Sequence, residues 1–461
     1  MATINTFLQI WEPPSKGPRA ATLNQNIRRM LNIAKKHKTN LAAIRLSPGV
    51  RATLPAWYHP GAATRPLTNV KAKCLLKNHV AKTVKDMINI AKKLRERTRT
   101  RAHSPSQACI CMECIQDRRK GCINPHACAV EVETHLNDIA PKYNPLAIEH
   151  HDTLSLTPNR KARNTVARAT DQEITFDPTI TCKDGIEECF RVFTNPGRIS
   201  LTPASRWTQQ GINLENEEII VFTDGSCNNN SKRNAQCGSG VWIGENHPKN
   251  NAIRVPRNNH SNQIGELVAV IAAVNSLPNF CKLKIVTDSR YVIDGLTENL
   301  TNWEDRGWIE IKNADMFKRA AYLLKRRTAP TIFKWVKGHQ GIQGNEESDK
   351  LAKEGTGKEE PDNLPLEIPK EFDLQGAKLS TLSQAIAYRG IRERKIKEPR
   401  PATNRNIDLI REAILEHSRN DETDEAIWKS LRKCTIRIRV QQFIYKAIND
   451  TPMIGAKWAN I

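Results

Sequence analysis

The sequence predicts an α/β core, a mixed sheet flanked by helices, set between a basic, mostly helical N-terminal region and a helical C-terminal region. Three observations carry this. From Glu218 the chain presents three compact apolar runs without helices between them and then runs that alternate with helical patterns, as in a sheet mixing antiparallel and parallel strands. Residues 1–101 hold 21 Lys and Arg against three acids, a net +18 of the whole chain's +22. Beyond residue 374, apolar residues recur at helical spacing. With 461 residues, the chain has room for about three domains of roughly 150 residues.

The longest unbroken apolar stretch, Leu267 to Val274, is 8 residues, against the ~20 that cross a bilayer, so no membrane partner is expected. The start, MATINTFLQIWEPPSK, lacks the basic, apolar and small-residue parts of a secretory signal. Its 12 cysteines therefore read as reduced thiols in an intracellular compartment, nucleus or cytoplasm.

Residues 1–105 read as a basic, partly disordered helical arm. Between Pro66 and Arg101, Leu76, Val80, Val84, Met87, Ala91 and Leu94 step by three or four, with lysines among them, which predicts one amphipathic basic helix. Such a charge block suits contact with nucleic acid. Residues 106–135 contain Cys109, Cys111, Cys114, Cys122, His126 and Cys128. The C-x2-C of 111–114, followed by Cys122 and either His126 or Cys128, has knuckle-like spacing for tetrahedral Zn2+. The ligand set taken from this spacing is Cys111, Cys114, Cys122 and Cys128. Residues 136–215 read as a linker with short ordered pieces.

Strands are expected at 219–223, 240–244, around 253–255, at 284–288 and at 331–337, with helices over 262–275, 289–299, 313–326 and from Asn345, all within a domain at 216–356. A Pro- and acid-rich connector, 357–374, leads to helices near 375–397, 406–419, 424–433 and 436–449 in a C-terminal region, 375–461.

Four acids stand where phosphoryl transfer wants them. Asp224 and Asp288 each follow an apolar strand, and strand ends converge on one sheet edge. Glu266 lies in the first turns of a helix, and Asp349 on the helix after the last strand. Carboxylates gathered this way repel unless cations are bound. Hard oxygen donors suit Mg2+ or Mn2+, and two such ions ~3.5–4 Å apart can activate water and stabilise a leaving oxygen.

Residues 218–356 resemble the type 1 ribonuclease H domain. The resemblance is carried by D-G-S-C at 224–227, N-Q-x-x-E-L at 262–267, T-D-S-x-Y-V at 287–292, N-W-x-x-R-G-W at 302–308, W-V-K-G-H at 335–339 and G-N-E-E-S-D-K-L-A at 344–352. It implies a ribonuclease H-like mixed five-stranded sheet with flanking helices. It further implies endonucleolytic hydrolysis of the RNA strand of an RNA/DNA hybrid by two metal ions. The implied metal-binding acids are Asp224, Glu266, Asp288 and Asp349, with His339 aiding proton transfer or product release. Cys227, Asn230, Asn262, Gln263, Trp303 and Asn345 fall at implied substrate contacts, with Asn230, Asn262 and Gln263 at 2′-hydroxyls and neighbouring bases; Trp303, with Arg306 and Trp308, lies in the segment that grips the DNA strand. Unlike many family members, the chain has Asn at 259 and Glu304-Asp305 beside Trp303. The order of parts, with W-K-S-L-R at 428–432 and M-I-G-A-K-W at 453–458, also resembles a piece of a non-LTR retrotransposon polyprotein. The competing expectation is a nucleic-acid-binding retroelement remnant with an inactive nuclease domain.

Overall fold

The computed structural model describes residues 8–10, 23–63, 69–95, 103–147, 154–180, 182–183, 185–202, 217–230, 232–256, 260–365, 367–395, 400–433 and 435–451. Asn259 and the motif at 453–458 lie outside them. No helix among the described residues is long and apolar enough to cross a membrane.

The N-terminal region is a packed module. It comprises α1 (Gln25–Lys36), β1 (Asn40–Leu41), β2 (Arg45–Leu46), α2 (Pro48–Thr53), α3 (Val70–Lys77), α4 (Val84–Arg95), α5 (Met112–Arg119) and α6 (Pro125–Asn137). Leu46, Leu54, Leu75, Met87, Val132 and Leu136 form its core. The single amphipathic helix expected between Pro66 and Arg101 is instead two, α3 and α4. Val80 turns the chain at φ 53°, and a capping box then restarts it. Asp86 Oδ2 accepts from the backbone N–H groups of Lys82 (3.0 Å) and Thr83 (2.8 Å), and Thr83 Oγ1 accepts from Asp86 N (3.3 Å).

Next come α7 (Pro158–Ala169), β3 (Ile174–Thr175), β4 (Cys182–Lys183) and β5 (Phe190–Val192). The central domain follows: β6 (Glu218–Asn228), β7 (Gln236–Trp242), β8 (Asn251–Arg254), α8 (Asn262–Ser276), β9 (Lys282–Thr287), α9 (Arg290–Thr297), α10 (Leu300–Asp305), α11 (Ala314–Arg326), β10 (Thr331–Trp335) and α12 (Gln343–Gly357). The sheet order is β3-β10-β9-β6-β7-β8, with β9 parallel to both β6 and β10 and the other pairs antiparallel. The expected five strands are all present. A sixth, β3, covers the edge of β10, because Ile174 and Phe176 bury into the same core and Phe176 N donates to the Thr331 carbonyl at 2.9 Å.

α8 and α12 press on opposite faces of β7, and both do so through glycine. A Cβ on Gly225 would overlap the Glu266 backbone nitrogen, and one on Gly240 would overlap the Ser348 carbonyl oxygen. On the α8 side, Ser239 Oγ donates to the Gly265 carbonyl at 2.6 Å.

The C-terminal region holds β11 (Ala377–Lys378), α13 (Gln384–Arg394), α14 (Pro401–Ser418), α15 (Asp424–Ser430) and α16 (Ile438–Ile448). α14, α15 and α16 share a small core at Ile407, Ile427 and Ile448. The helix expected from Gln375 starts only at Gln384, because Ala377–Lys378 joins β1 and β5 in a three-stranded sheet ordered β1-β5-β11. Arg191 on β5 is 2% exposed and ties this joint to the central domain. It donates to the carbonyls of Glu304 (2.6 Å) and Gly376 (2.9 Å) and to Asp305 Oδ1 (3.2 Å).

Gly240→Ala should cost about 1–3 kcal/mol, since the methyl group must push α12 off the sheet. Gly244→Ala, where a Cβ meets nothing within 4 Å, should change stability by no more than about 0.5 kcal/mol. Urea unfolding of the two variants beside the parent checks the pair.

Candidate active site

Parallel pairing of β6 with β9 ends at Phe222↔Val286, so Asp224 and Asp288 each lie two residues beyond the last pair. That common offset brings the two carboxylates side by side. Asp224 is not at a strand end, as its sequence suggested. β6 continues to Asn228 by pairing with β7, with Asp224 opposite Gly240. Asp288 is held from behind: its carbonyl accepts from the Trp335 indole Nε1 at 3.0 Å, and the Arg290 guanidinium lies 3.9 Å above the Trp335 ring.

Glu266 arrives from α8, whose N-cap Ser261 accepts from Ile264 N at 3.4 Å. Because Gly225 lets the backbones of β6 and α8 meet, Glu266 reaches the two aspartates. One carboxylate oxygen from each of Asp224, Glu266 and Asp288 lies within 4.8 Å of the others. Glu266 Oε2 is buried and has no hydrogen-bond partner. Burial, and then the charge of Asp288, pushes Asp224 up to about 7, and burial with the charge of Asp224 carries Glu266 well above the usual carboxylate range. Both shifts record a cluster short of positive charge.

Asp349 stands on α12 beside this trio and not within it. Its charge adds to the upward push on Asp224, and its own Oδ2 accepts from Lys353 Nζ at 2.6 Å. The Lys353 side chain is 62% exposed, free to swing into solvent. His339 is exposed on the loop between β10 and α12, at φ 55°. The preceding Gly338 passes so near Asp288 that a Cβ there would sit 2.5 Å from Oδ2.

The other expected contacts divide by exposure. Asn230, in the turn after β6, and Asn262 and Gln263, on the first turn of α8, are exposed toward solvent. Cys227 is half-buried, and Asn345 is buried with an unpartnered Oδ1. Trp303 packs half-buried at 4.8 Å from Phe317 and 5.9 Å from Trp308, and Trp308 is itself buried. Sequence reasoning missed Trp335 and Lys353 as supports of the site. Lys353 was findable, being four residues from Asp349 on a helix, the spacing at which opposite charges pair.

The proposed thiol quartet is not one group. Cys111 and Cys114 gather with His103 and Cys109, whereas Cys122 and Cys128 gather with Cys74 and His79. The second pair faces the end of α3, because α6 packs on that helix. His126 belongs to neither group and hydrogen-bonds His103.

The RNase H family model matches residues 216–357. Ribonuclease H1 of Rattus norvegicus is 34% identical over 158 residues, 33% of this chain and 55% of the rat protein. Ribonuclease H of Pseudomonas paraeruginosa is 33% identical over 154 residues, 31% of this chain and 95% of the bacterial protein. Among solved structures, LC9-RNase H1, a type 1 RNase H with the type 2 active-site motif, has 21% identity and a TM-score of 0.27, covering 38% of this chain and 85% of that one. The chain spans about half the length of the mammalian relatives it matches. Since it covers nearly all of the bacterial enzyme at 33% identity, the chain belongs to the ribonuclease H family.

Proposed function

We propose that the central domain hydrolyses the RNA strand of RNA/DNA hybrids with two divalent cations, Mg2+ or Mn2+. One observation carries this: three carboxylates converge, Asp224 buried and Glu266 and Asp288 half-buried, one with an oxygen that no protein group satisfies. Divalent metal ions are the family's general requirement, and hard oxygen donors suit them. When bound, the pair of ions supplies activation of the attacking water and neutralises charge on the leaving oxygen.

The rest falls to side chains. Asp224, Glu266 and Asp288 hold the ions, and Asp349 joins them when Lys353 swings away. His339 moves a proton or eases product departure from its exposed loop. Asn230, Asn262 and Gln263 lie open to 2′-hydroxyls, which they can meet as donors or acceptors. Cys227 and Asn345, more buried, contact the substrate from deeper in the site, and Trp303, half-buried against Phe317, meets the DNA strand.

The basic N-terminal face supplies sequence-independent attraction to phosphates. α1 supports this, carrying Arg28, Arg29, Lys35 and Lys36 without an acid or a buried residue. The order of parts supports a retroelement origin, and free thiols at ten cysteines among the described residues support an intracellular setting in nucleus or cytoplasm.

The purified chain with Mg2+ should cut the RNA strand of a labelled hybrid and spare single-stranded RNA, duplex RNA and duplex DNA. Asp288→Asn should lower the rate by about 10²–10³-fold or more. A folded protein that binds the hybrid yet cuts nothing with Mg2+ or Mn2+ would shift the weight to a binding remnant.

The raised carboxyls also predict a pH dependence. Without metal, the folded protein binds more protons than the unfolded chain between ~4, the ordinary carboxyl value, and about 7, where Asp224 titrates. Metal-free stability therefore falls as pH rises through that window; the share owed to Asp224 is complete above it, and Glu266, carried well above the ordinary carboxyl value, extends the fall further. Mg2+ should raise the melting temperature more at pH 8 than at pH 5; equal gains would contradict the assignment.

For the basic face, substitution is the right probe, because deleting residues 1–101 would remove Leu54 and Met87 from the module core. Arg29→Ala with Lys36→Ala should flatten the salt dependence of log affinity for hybrid by up to about 1.8, roughly 0.9 per lost phosphate contact. An unchanged slope would remove α1 from the interface.

A further inference from the structure

We propose that the N-terminal module holds two structural zinc ions in separate tetrahedral Cys3His sites. One is made by His103, Cys109, Cys111 and Cys114, the other by Cys74, His79, Cys122 and Cys128. In each set, one ligand atom per residue lies within 4.8 Å of all the others.

The distances are those of a coordination shell. Zn–S bonds of ~2.3 Å and Zn–N bonds of ~2.0–2.1 Å at the tetrahedral angle place sulfur about 3.5 Å from nitrogen and about 3.8 Å from sulfur. In the first site the Sγ atoms of Cys109, Cys111 and Cys114 stand 3.4, 3.5 and 3.4 Å from His103 Nδ1. In the second, Cys122 Sγ and Cys128 Sγ are 3.7 Å apart. Hydrogen bonding does not explain the first cluster, since a ring nitrogen has one lone pair and cannot serve three thiols. Disulfides do not explain it either, because all six cysteines are free, and five of them are buried.

Each imidazole is also oriented from outside its cluster. His103 Nε2 is 2.9 Å from His126 Nδ1, and the two rings stack. With His103 donating there, its Nδ1 lone pair faces the sulfurs. His79 Nδ1 lies 3.3 Å from Asp117 Oδ1, and Lys93 holds the same carboxylate. This leaves His79 Nε2, which is buried with no partner, as the atom offered to the second ion. A carboxylate behind a ligating histidine is the usual outer shell of zinc. Amide groups stand ready for thiolates: Ser104 N donates to Cys109 Sγ and Asn78 Nδ2 to Cys74 Sγ, both at 3.3 Å.

The second site ties the end of α3 to the start of α6, while the first pins the loop ahead of α5, and it lies wholly within the chain segment that the second closes. The two ions would therefore staple a module whose helices are short, and the metal's binding energy becomes folding energy.

The test uses the full chain, expressed with zinc supplied and freed of loose metal by gel filtration. Elemental analysis should find two zinc ions per chain, and zinc-edge X-ray absorption should show three sulfurs at ~2.3 Å and one nitrogen at ~2.0 Å. Cys114→Ser and Cys122→Ser should each retain one ion, and the double variant none. Asp288→Asn should keep both, separating these sites from the carboxylates. One ion or fewer in the unsubstituted protein, an oxygen-dominated shell, or a double variant that keeps two ions would overturn the proposal. Should a variant fail to fold, stoichiometry and absorption of the unsubstituted chain still decide it.

Discussion

Contact of backbone with backbone at Gly225, Gly240 and Gly265 sets the spacing on which the central domain depends. Any side chain at Gly225 or Gly240 would hold α8 or α12 away from β6 and β7. These helices carry Glu266 and Asp349, and the strands between them position Asp224. The carboxylates are thus placed by the absence of side chains beneath them. Ser239, facing α8 between two glycines that face α12, adds a hydrogen bond where bulk is not tolerated.

That close packing has an electrostatic cost. It buries Asp224 and Glu266 beside Asp288 without a basic residue inside the cluster, and the nearby cation, Lys353, pairs with Asp349 instead. The loop that closes over Asp288 is itself conformationally costly at His339, which lies in the left-handed region beside Gly338, while Gly341 takes φ 78° without steric penalty. Strain and unbalanced charge converge on one edge of the sheet, where an incoming cation and polyanion relieve the charge. Elsewhere the domain is conventional: aliphatic α8, Phe317 and Phe333 fill a continuous core.

The strands and helices of the central domain were legible because apolar runs and helical periods there agree with burial. Asp224, Glu266 and Asp288 could be brought together from sequence because two follow apolar runs and the third opens a helix, whereas Asp349 lies beside their cluster. Other features were hidden by distance along the chain. Nothing near Cys122 and Cys128 points to Cys74 and His79, more than 40 residues earlier, so spacing alone joined the wrong thiols. Ile174 and Phe176 sit in a stretch too short to show a period, yet the open edge of β10 recruits them. The break between α3 and α4 did leave a mark, since Thr83 and Asp86 are spaced as a capping box. Helical periodicity across Val80 concealed it. Trp303 shows the converse, a residue of a binding motif that here packs on Phe317.

The joint sheet β1-β5-β11 has a consequence for how the chain is made. Its strands come from residues 40–41, 190–192 and 377–378, so it cannot be completed until long after its first strand has left the ribosome. At ~5–20 residues per second, the interval between β1 and β11 is roughly 20 to 70 seconds. Of that time, Arg191 itself waits roughly 10 to 40 seconds for the Gly376 carbonyl, and the N-terminal core, which includes Cys189, closes only once that residue is made. Synthesis would then deliver the basic face first and the catalytic edge second. The late C-terminal strand completes a joint that Arg191 begins earlier through Glu304 and Asp305.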